Sequence, residues 1–129
     1  MVLLNDPIGD LLTRIRNAQS ARRTGCTAPW SKIKQQLCEL LVKEGWLAGV
    51  EVIGEKPKQE VNVTFRSDRS PLTLKRVSKP GRRVHSGVKE LKPVLRGFGM
   101  AVITTSEGLL TDKEARKRKL GGEVLCTIA

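Results

Sequence analysis

Tyrosine is absent from this chain, and Trp30, Trp46, Phe65 and Phe98 are its only aromatic side chains. A protein that grips single-stranded nucleic acid by stacking gains about 1 to 3 kcal/mol per base from exposed rings. No strand here pairs two of them, and Trp46 and Phe65 are expected in the core. Histidine occurs once, at His85, which leaves too few partners for a histidine-based metal site. The phosphate-cradling patterns GxGxxG and GxxxxGK[ST] are missing, as are the GxSxG elbow and any oxyanion-loop signature. Cys26, Cys38 and Cys126 are an odd number without a CxxC pair, so neither a disulfide framework nor a zinc knuckle fits. They are expected to be buried free thiols. No apolar run approaches the roughly 20 residues of a membrane-spanning helix, and MVLLNDPIGD lacks the basic start of a secretory signal. The expectation is a cytoplasmic protein with no cofactor, no metal and no membrane partner.

Acid is also in short supply. Lys and Arg number 24 against 13 Asp and Glu, a formal charge of +11 on 129 residues. That charge repels itself unless an anionic partner relieves it. Residues 1–65 hold nine cations and seven acids, a net of +2, whereas residues 66–129 hold fifteen cations and six acids, a net of +9. The partner is therefore expected against the second half, with nucleic acid the first candidate. Hydrophobic residues make up 39% of the chain, enough for a small core and too many for a disordered basic tail.

Asp6-Pro7 predicts a helix start, with Asp as N-cap and Pro at the first helical position. Ile8, Leu11, Leu12, Ile15 and Ala18 then recur at helical spacing. A brief strand is expected over 25–30, followed by a helix capped by Ser31, carrying Ile33, Leu37, Leu40 and Leu41, and stopped by Gly45. Val50 and Val52, then Val61, Val63 and Phe65, alternate as strands of a hairpin across the polar connection 54–60. The polar run 67–71 reads as a junction, after which Leu72 and Leu74 begin another strand. Ser78-Lys79-Pro80-Gly81 is a turn signal, with Arg82, Arg83 and His85 at its exit. One or two helical turns are expected within 88–95 and a hinge at 97–99, before an apolar strand 100–103. The resulting fold class is α+β in two small lobes: residues 1–66 form an N-terminal lobe of two helices on a short sheet, and residues 72–129 a C-terminal, mostly antiparallel β lobe with short helices.

The densest stretch is ITTSEGLLTDKEARKRKLGGEVL, Ile103 to Leu125. Thr104, Thr105 and Ser106 leave a strand and meet Gly108, so a loop there can aim O–H and N–H groups at phosphate oxygens, ribose hydroxyls or base edges. Thr111-Asp112-Lys113-Glu114 is a capping box in which Glu114 is expected to bond back to the Thr111 N–H. The helix it starts is expected to run through Arg116, Lys117, Arg118 and Lys119 to Leu120, with Gly121-Gly122 as its stop before a last strand, 123–128. A nucleophilic site built from Ser106, His85 and Asp112 is the enzymatic alternative, and the missing signatures argue against it.

Four segments, Asp6-Pro-Ile-Gly-Asp-Leu-Leu-Thr-Arg-Ile-Arg-Asn17, Arg76-Val-Ser-Lys-Pro-Gly-Arg-Arg83, Thr104-Thr-Ser-Glu-Gly-Leu-Leu-Thr-Asp112 and Gly121-Gly-Glu-Val-Leu-Cys126, stand in this order along nearly the whole chain. Together they resemble the eighth small-subunit ribosomal protein family in its bacterial or organellar form. The resemblance implies a protein without enzymatic activity that binds the central domain of small-subunit rRNA early in assembly and helps organise the platform. It implies cytoplasmic or organellar ribosomes, a monomer within the ribosome, and neighbours that include the fifth and twelfth small-subunit proteins. Carried over residue by residue, it marks the hydroxyls of Thr104, Thr105 and Ser106, the acid Glu123, the basic turn from Lys79 to Arg83, and a secondary contact at Ser31-Lys32. The chain departs from the family's usual pattern with Thr104 where Ser is frequent and with His85 where Tyr is usual. The expected division of labour has Arg82, Arg83, Arg116, Lys117 and their neighbours holding phosphates while the hydroxyls and Glu123 fix register. A non-ribosomal RNA-binding regulator, including a translational repressor acting on an mRNA mimic of the rRNA site, is the alternative.

Overall fold

A computed structural model describes residues 6–68, 71–78, 84–86 and 99–129. Their contacts divide the chain into two compact units, one of Pro7–Leu72 and one of Asp6 with the described residues from Thr73 to Ala129. Both units mix helices with antiparallel sheets, so the molecule is α+β, with the helices concentrated in the first unit and the strands in the second.

In the first unit α1 spans Pro7–Ser20, β1 Gly25–Pro29, α2 Lys32–Lys43, β2 Gly49–Ile53 and β3 Glu60–Thr64. Helix α1 buries the five residues of its predicted stripe, Ile8, Leu11, Leu12, Ile15 and Ala18. Each of the larger ones contributes about 1.5 to 3 kcal/mol on leaving water. Ser31 caps α2 by accepting from the Lys34 N–H. Gly45, at φ +83, closes it, with the Trp46 N–H on the Leu41 carbonyl and the Gly45 N–H on that of Val42. The sheet runs β1-β3-β2, with Val61 opposite Ala28 and Val52, and Val63 opposite Cys26 and Val50. Both helices pack on it.

Two core expectations are corrected. Ile33 and Leu40 are half-exposed, while Lys34 is buried. The lysine is tolerated because Nζ donates to the Pro29 carbonyl at 2.9 Å and reaches Asp10 at 3.4 Å. Trp46 is buried as expected, but Phe65 lies just past β3 and is only half-buried.

In the second unit β4 spans Leu74–Arg76, β5 His85–Ser86, β6 Met100–Thr105, β7 Gly108–Thr111, α3 Asp112–Lys117 and β8 Gly122–Ile128. The sheet runs β4-β8-β6-β7, with β5 also paired to β8, and α3 packs on β6 and β7. Strand β7 was not expected. Glycine and two leucines after three hydroxyls read as loop, yet Leu109 and Leu110 return antiparallel along Thr104 and Ile103. The turn residues 79–81, the helical turn within 88–95 and the hinge residues 97–98 lie outside the described residues.

Candidate nucleic-acid interface

The register of β6 against β8 shifts by one residue at Leu125: Val102 faces Cys126, but Ile103 faces Val124 and Thr104 faces Glu123. Such a bulge re-aims every side chain beyond it. The Leu125 carbonyl takes the Arg76 guanidinium at 2.6 Å and the Val77 N–H at 3.0 Å. Arg76 is held in turn by Asp6, through Nε at 3.2 Å and Nη2 at 2.9 Å. Beyond the bulge, Thr104 and Glu123 are cross-strand partners and share one face of the sheet. On its other edge Glu123 is registered against His85. A Cβ at Gly122 would collide with the Thr104 carbonyl, so the second glycine of the pair is what lets β8 lie this close to the hydroxyl strand. That is its role, rather than stopping a helix.

Thr104, Thr105 and Ser106 fall at the tip of the β6–β7 hairpin. Ser106 and Glu107 make the turn, and Gly108 supplies its positive φ, +102. Thr105 is committed to the turn itself: its hydroxyl donates to the Gly108 carbonyl at 3.0 Å and accepts from the Glu107 N–H at 3.1 Å. Having used its proton, it can only accept from a ligand. Thr104 is half-exposed and Ser106 exposed, and among the described residues neither hydroxyl has a protein partner. Both keep donor and acceptor capacity.

The four consecutive cations divide in two. Asp112, buried at 4% exposure, accepts from the Ala101 N–H at 3.2 Å and from Arg116 Nη1 at 3.0 Å. Arg118 bonds Glu114 at 2.9 Å and Glu107 at 3.0 Å, tying the end of α3 to the hydroxyl turn. These two hydrogen bonds, the one to Glu107 first, raise the Arg118 pKa further. Half of the capping box is made: Thr111 accepts from the Glu114 N–H, but the Glu114 carboxylate takes Arg118 rather than turning back. Lys117 and Lys119 are exposed and without an acidic partner among the described residues.

The helix also ends earlier than expected. Lys119 at φ +58 forms the left-handed stop, with the Leu120 N–H on the Ala115 carbonyl and its own N–H on that of Arg116. Lys119 is expected from sequence only as a neighbour of Arg116 and Lys117, not as a contact in its own right. Adjacent cations look alike in sequence, and only their carboxylate partners distinguish them.

Of the remaining candidates, Lys79, Arg82 and Arg83 lie outside the described residues. The flanks of that segment are pinned: buried Ser78 Oγ accepts from the Val84 N–H at 2.8 Å and donates to the Val84 carbonyl at 3.2 Å. Ser31 and Lys32 lie at the start of α2 in the first unit, with the Ser31 oxygen occupied as a cap and Lys32 exposed. Beside them Trp30 is 37% exposed, its Nε1–H on Gln35.

One member of the enzymatic alternative is already engaged. Asp112 is consumed by Ala101 and Arg116. Burial raises the Cys26 thiol, and pushes those of Cys38 and Cys126 up to about 12, well away from a thiolate at neutral pH. Among the described residues no cluster of His, Cys, Asp and Glu is suited to a metal ion, and no helix is long and apolar enough to cross a membrane.

The described residues form a small basic α+β protein of two units, with a hydroxyl hairpin and exposed lysines at a helix end on the second. Residues 6–129 match the family described as Ribosomal protein S8, and the chain belongs to that family. It is 45% identical over 127 residues to the small ribosomal subunit protein uS8 of Caldicellulosiruptor bescii, covering 95% of this chain and 96% of that one. The uS8 protein of Dictyoglomus turgidum is 43% identical over 128 residues, 97% and 98% of the two chains. That of Trichormus variabilis is 46% identical over 129 residues, 96% and 97%.

Proposed function

We propose that this ribosomal protein works without catalysis, as an rRNA-binding constituent of the small subunit that docks on the central domain and helps assemble the platform. The observation that carries the reading is the pair of hydroxyls, Thr104 and Ser106, without a partner among the described residues, at a turn braced from within by Thr105 and from beside by the Arg118–Glu107 pair. A braced turn holds its donors at fixed positions, so an RNA surface that matches them binds without first ordering the loop. Glu123, registered beside Thr104, adds an acceptor that can take a base amino group or a ribose 2′-OH. Lys117 and Lys119 supply phosphate contacts, joined by Lys79, Arg82 and Arg83. Arg116 serves chiefly to hold α3 and contributes its charge from there. Ser31 and Lys32 provide the secondary contact, and His85 stands at the edge of the register row.

On this reading the chain resides in cytoplasmic or organellar ribosomes as a single copy. The fifth and twelfth small-subunit proteins are its expected neighbours. Chemical footprinting of small-subunit rRNA with and without the protein is the test. Protection should concentrate on an irregular stem of the central domain, and the chain should sediment with the small subunit after a moderate salt wash. Protection elsewhere, or release by that wash, would overturn the assignment.

A further inference from the structure

The first unit carries a groove whose lining includes none of the residues assigned to the rRNA contact. It has a volume of about 410 Å³ and is lined by Arg22, Arg23 and Arg66 around Phe65, with Gln19 and Trp46 beside them. Arg66 is fixed at its rim: Nη1 donates to the Gly45 carbonyl at 2.8 Å, and Nε and Nη2 hold both oxygens of Asp68 at 3.0 and 2.7 Å. Its charge is thereby answered. Arg22 and Arg23 are exposed and, among the described residues, have no acidic partner.

Arg22 is also conformationally unusual. Its N–H bonds the Gln19 carbonyl at 3.0 Å, and the Arg23 N–H bonds that of Ala18 at 2.9 Å, the closing pattern of α1. This places Arg22 at φ +57, a left-handed position that glycine fills at less cost. A helix end needs no arginine there. Strain kept at an exposed, uncompensated charge points from conformation to a bound anion.

We propose that this groove is a second RNA-binding surface that takes one unstacked nucleotide, its base against Phe65 and its flanking phosphates on Arg22 and Arg23. The choice of RNA over an acidic protein segment follows from the lining. Trp46 is nearly closed off at 9% exposure and Leu47 and Leu72 are buried, so the accessible wall is guanidinium, amide, one half-exposed ring and the exposed Ser67 and Pro71. Guanidinium planes pair bidentately with phosphate, and a single ring offers a base its face. An acidic peptide such as Glu-Glu-Leu-Glu-Glu would answer the same charges but offers the ring no flat π-face to stack on. The proposal rests on the chain being an RNA binder, and it separates from the hydroxyl hairpin because the two surfaces are assigned different RNA forms.

The test uses the full-length chain with a labelled ten-nucleotide oligoadenylate, a stem from the rRNA central domain, and the peptide Glu-Glu-Leu-Glu-Glu. Phe65→Leu keeps an apolar side chain without the ring and is expected to weaken oligoadenylate binding by at least about fivefold, the lower end of a stacked base. Arg22→Gly is expected to raise the urea midpoint while weakening the same binding, a pairing of effects that a purely structural role does not produce. A Thr104→Ala, Ser106→Ala variant should bind oligoadenylate normally even if its stem binding fails. Oligoadenylate binding unchanged by both Phe65→Leu and Arg22→Gly would overturn the proposal. So would peptide binding that competes with oligoadenylate and is unaffected by Phe65→Leu.

Discussion

At the scale of single residues, two cations occupy backbone positions where glycine is the ordinary choice. Arg22 and Lys119, at φ +57 and +58, are the non-glycine residues with positive φ among those described, and each closes a helix. Helix α2, by contrast, ends on Gly45. That ending was legible because glycine after an apolar stripe is a recognisable stop. The other two were not, since nothing in a run of cations says which one turns left-handed. Lys119→Gly is therefore expected to stabilise the fold by about 0.5 to 1 kcal/mol in urea denaturation. The same change should weaken RNA binding and shrink the slope of log K against log salt by about 0.7 to 0.9, one phosphate contact. A variant that gains stability and keeps its affinity and slope would show that the lysine makes no such contact.

At the scale of elements, the second unit depends on a carboxylate that the sequence presents only as part of a helix cap. Buried Asp112 joins the start of β6 to α3 through Ala101 and Arg116. Removing it strands a buried N–H and frees a partly buried guanidinium. Asp112→Ala is expected to cost about 2 to 3 kcal/mol by chemical denaturation, whereas Asp112→Asn keeps an acceptor for Ala101 and should cost less. Equal losses for the two would mean that the ion pair, not the backbone bond, is the important link. The amphipathic helices and the β2–β3 hairpin were legible because their burial follows simple periods of 3.6 and 2. The bulge at Leu125 and the short strand β7 were not. A bulge breaks the period it would have to be read from, and four residues, two of them glycine and threonine, carry too little pattern to mark a strand.

At the scale of the whole molecule, the +9 of residues 66–129 against the +2 of residues 1–65 pointed to an anionic partner before any fold was known. The structure divides that charge more finely than a count can. Arg76, Arg116 and Arg118 are bound to carboxylates and organise the second unit, while Lys117 and Lys119 stand without one among the described residues. Net charge thus overstates the number of phosphate contacts available to RNA. The hydroxyl triplet divides in the same way, with Thr105 building the turn and Thr104 and Ser106 presented by it. Sequence alone shows three equivalent alcohols, because the hydrogen bonds that distinguish them exist only once β7 has folded back.

The most direct measurement is the affinity of a Thr104→Ala, Ser106→Ala variant for a central-domain rRNA stem and for a scrambled stem of equal length, each at two salt concentrations. The account predicts a loss of about 1 to 3 kcal/mol per hydroxyl on the first stem only, with the salt slope unchanged. An equal loss on both stems would contradict it.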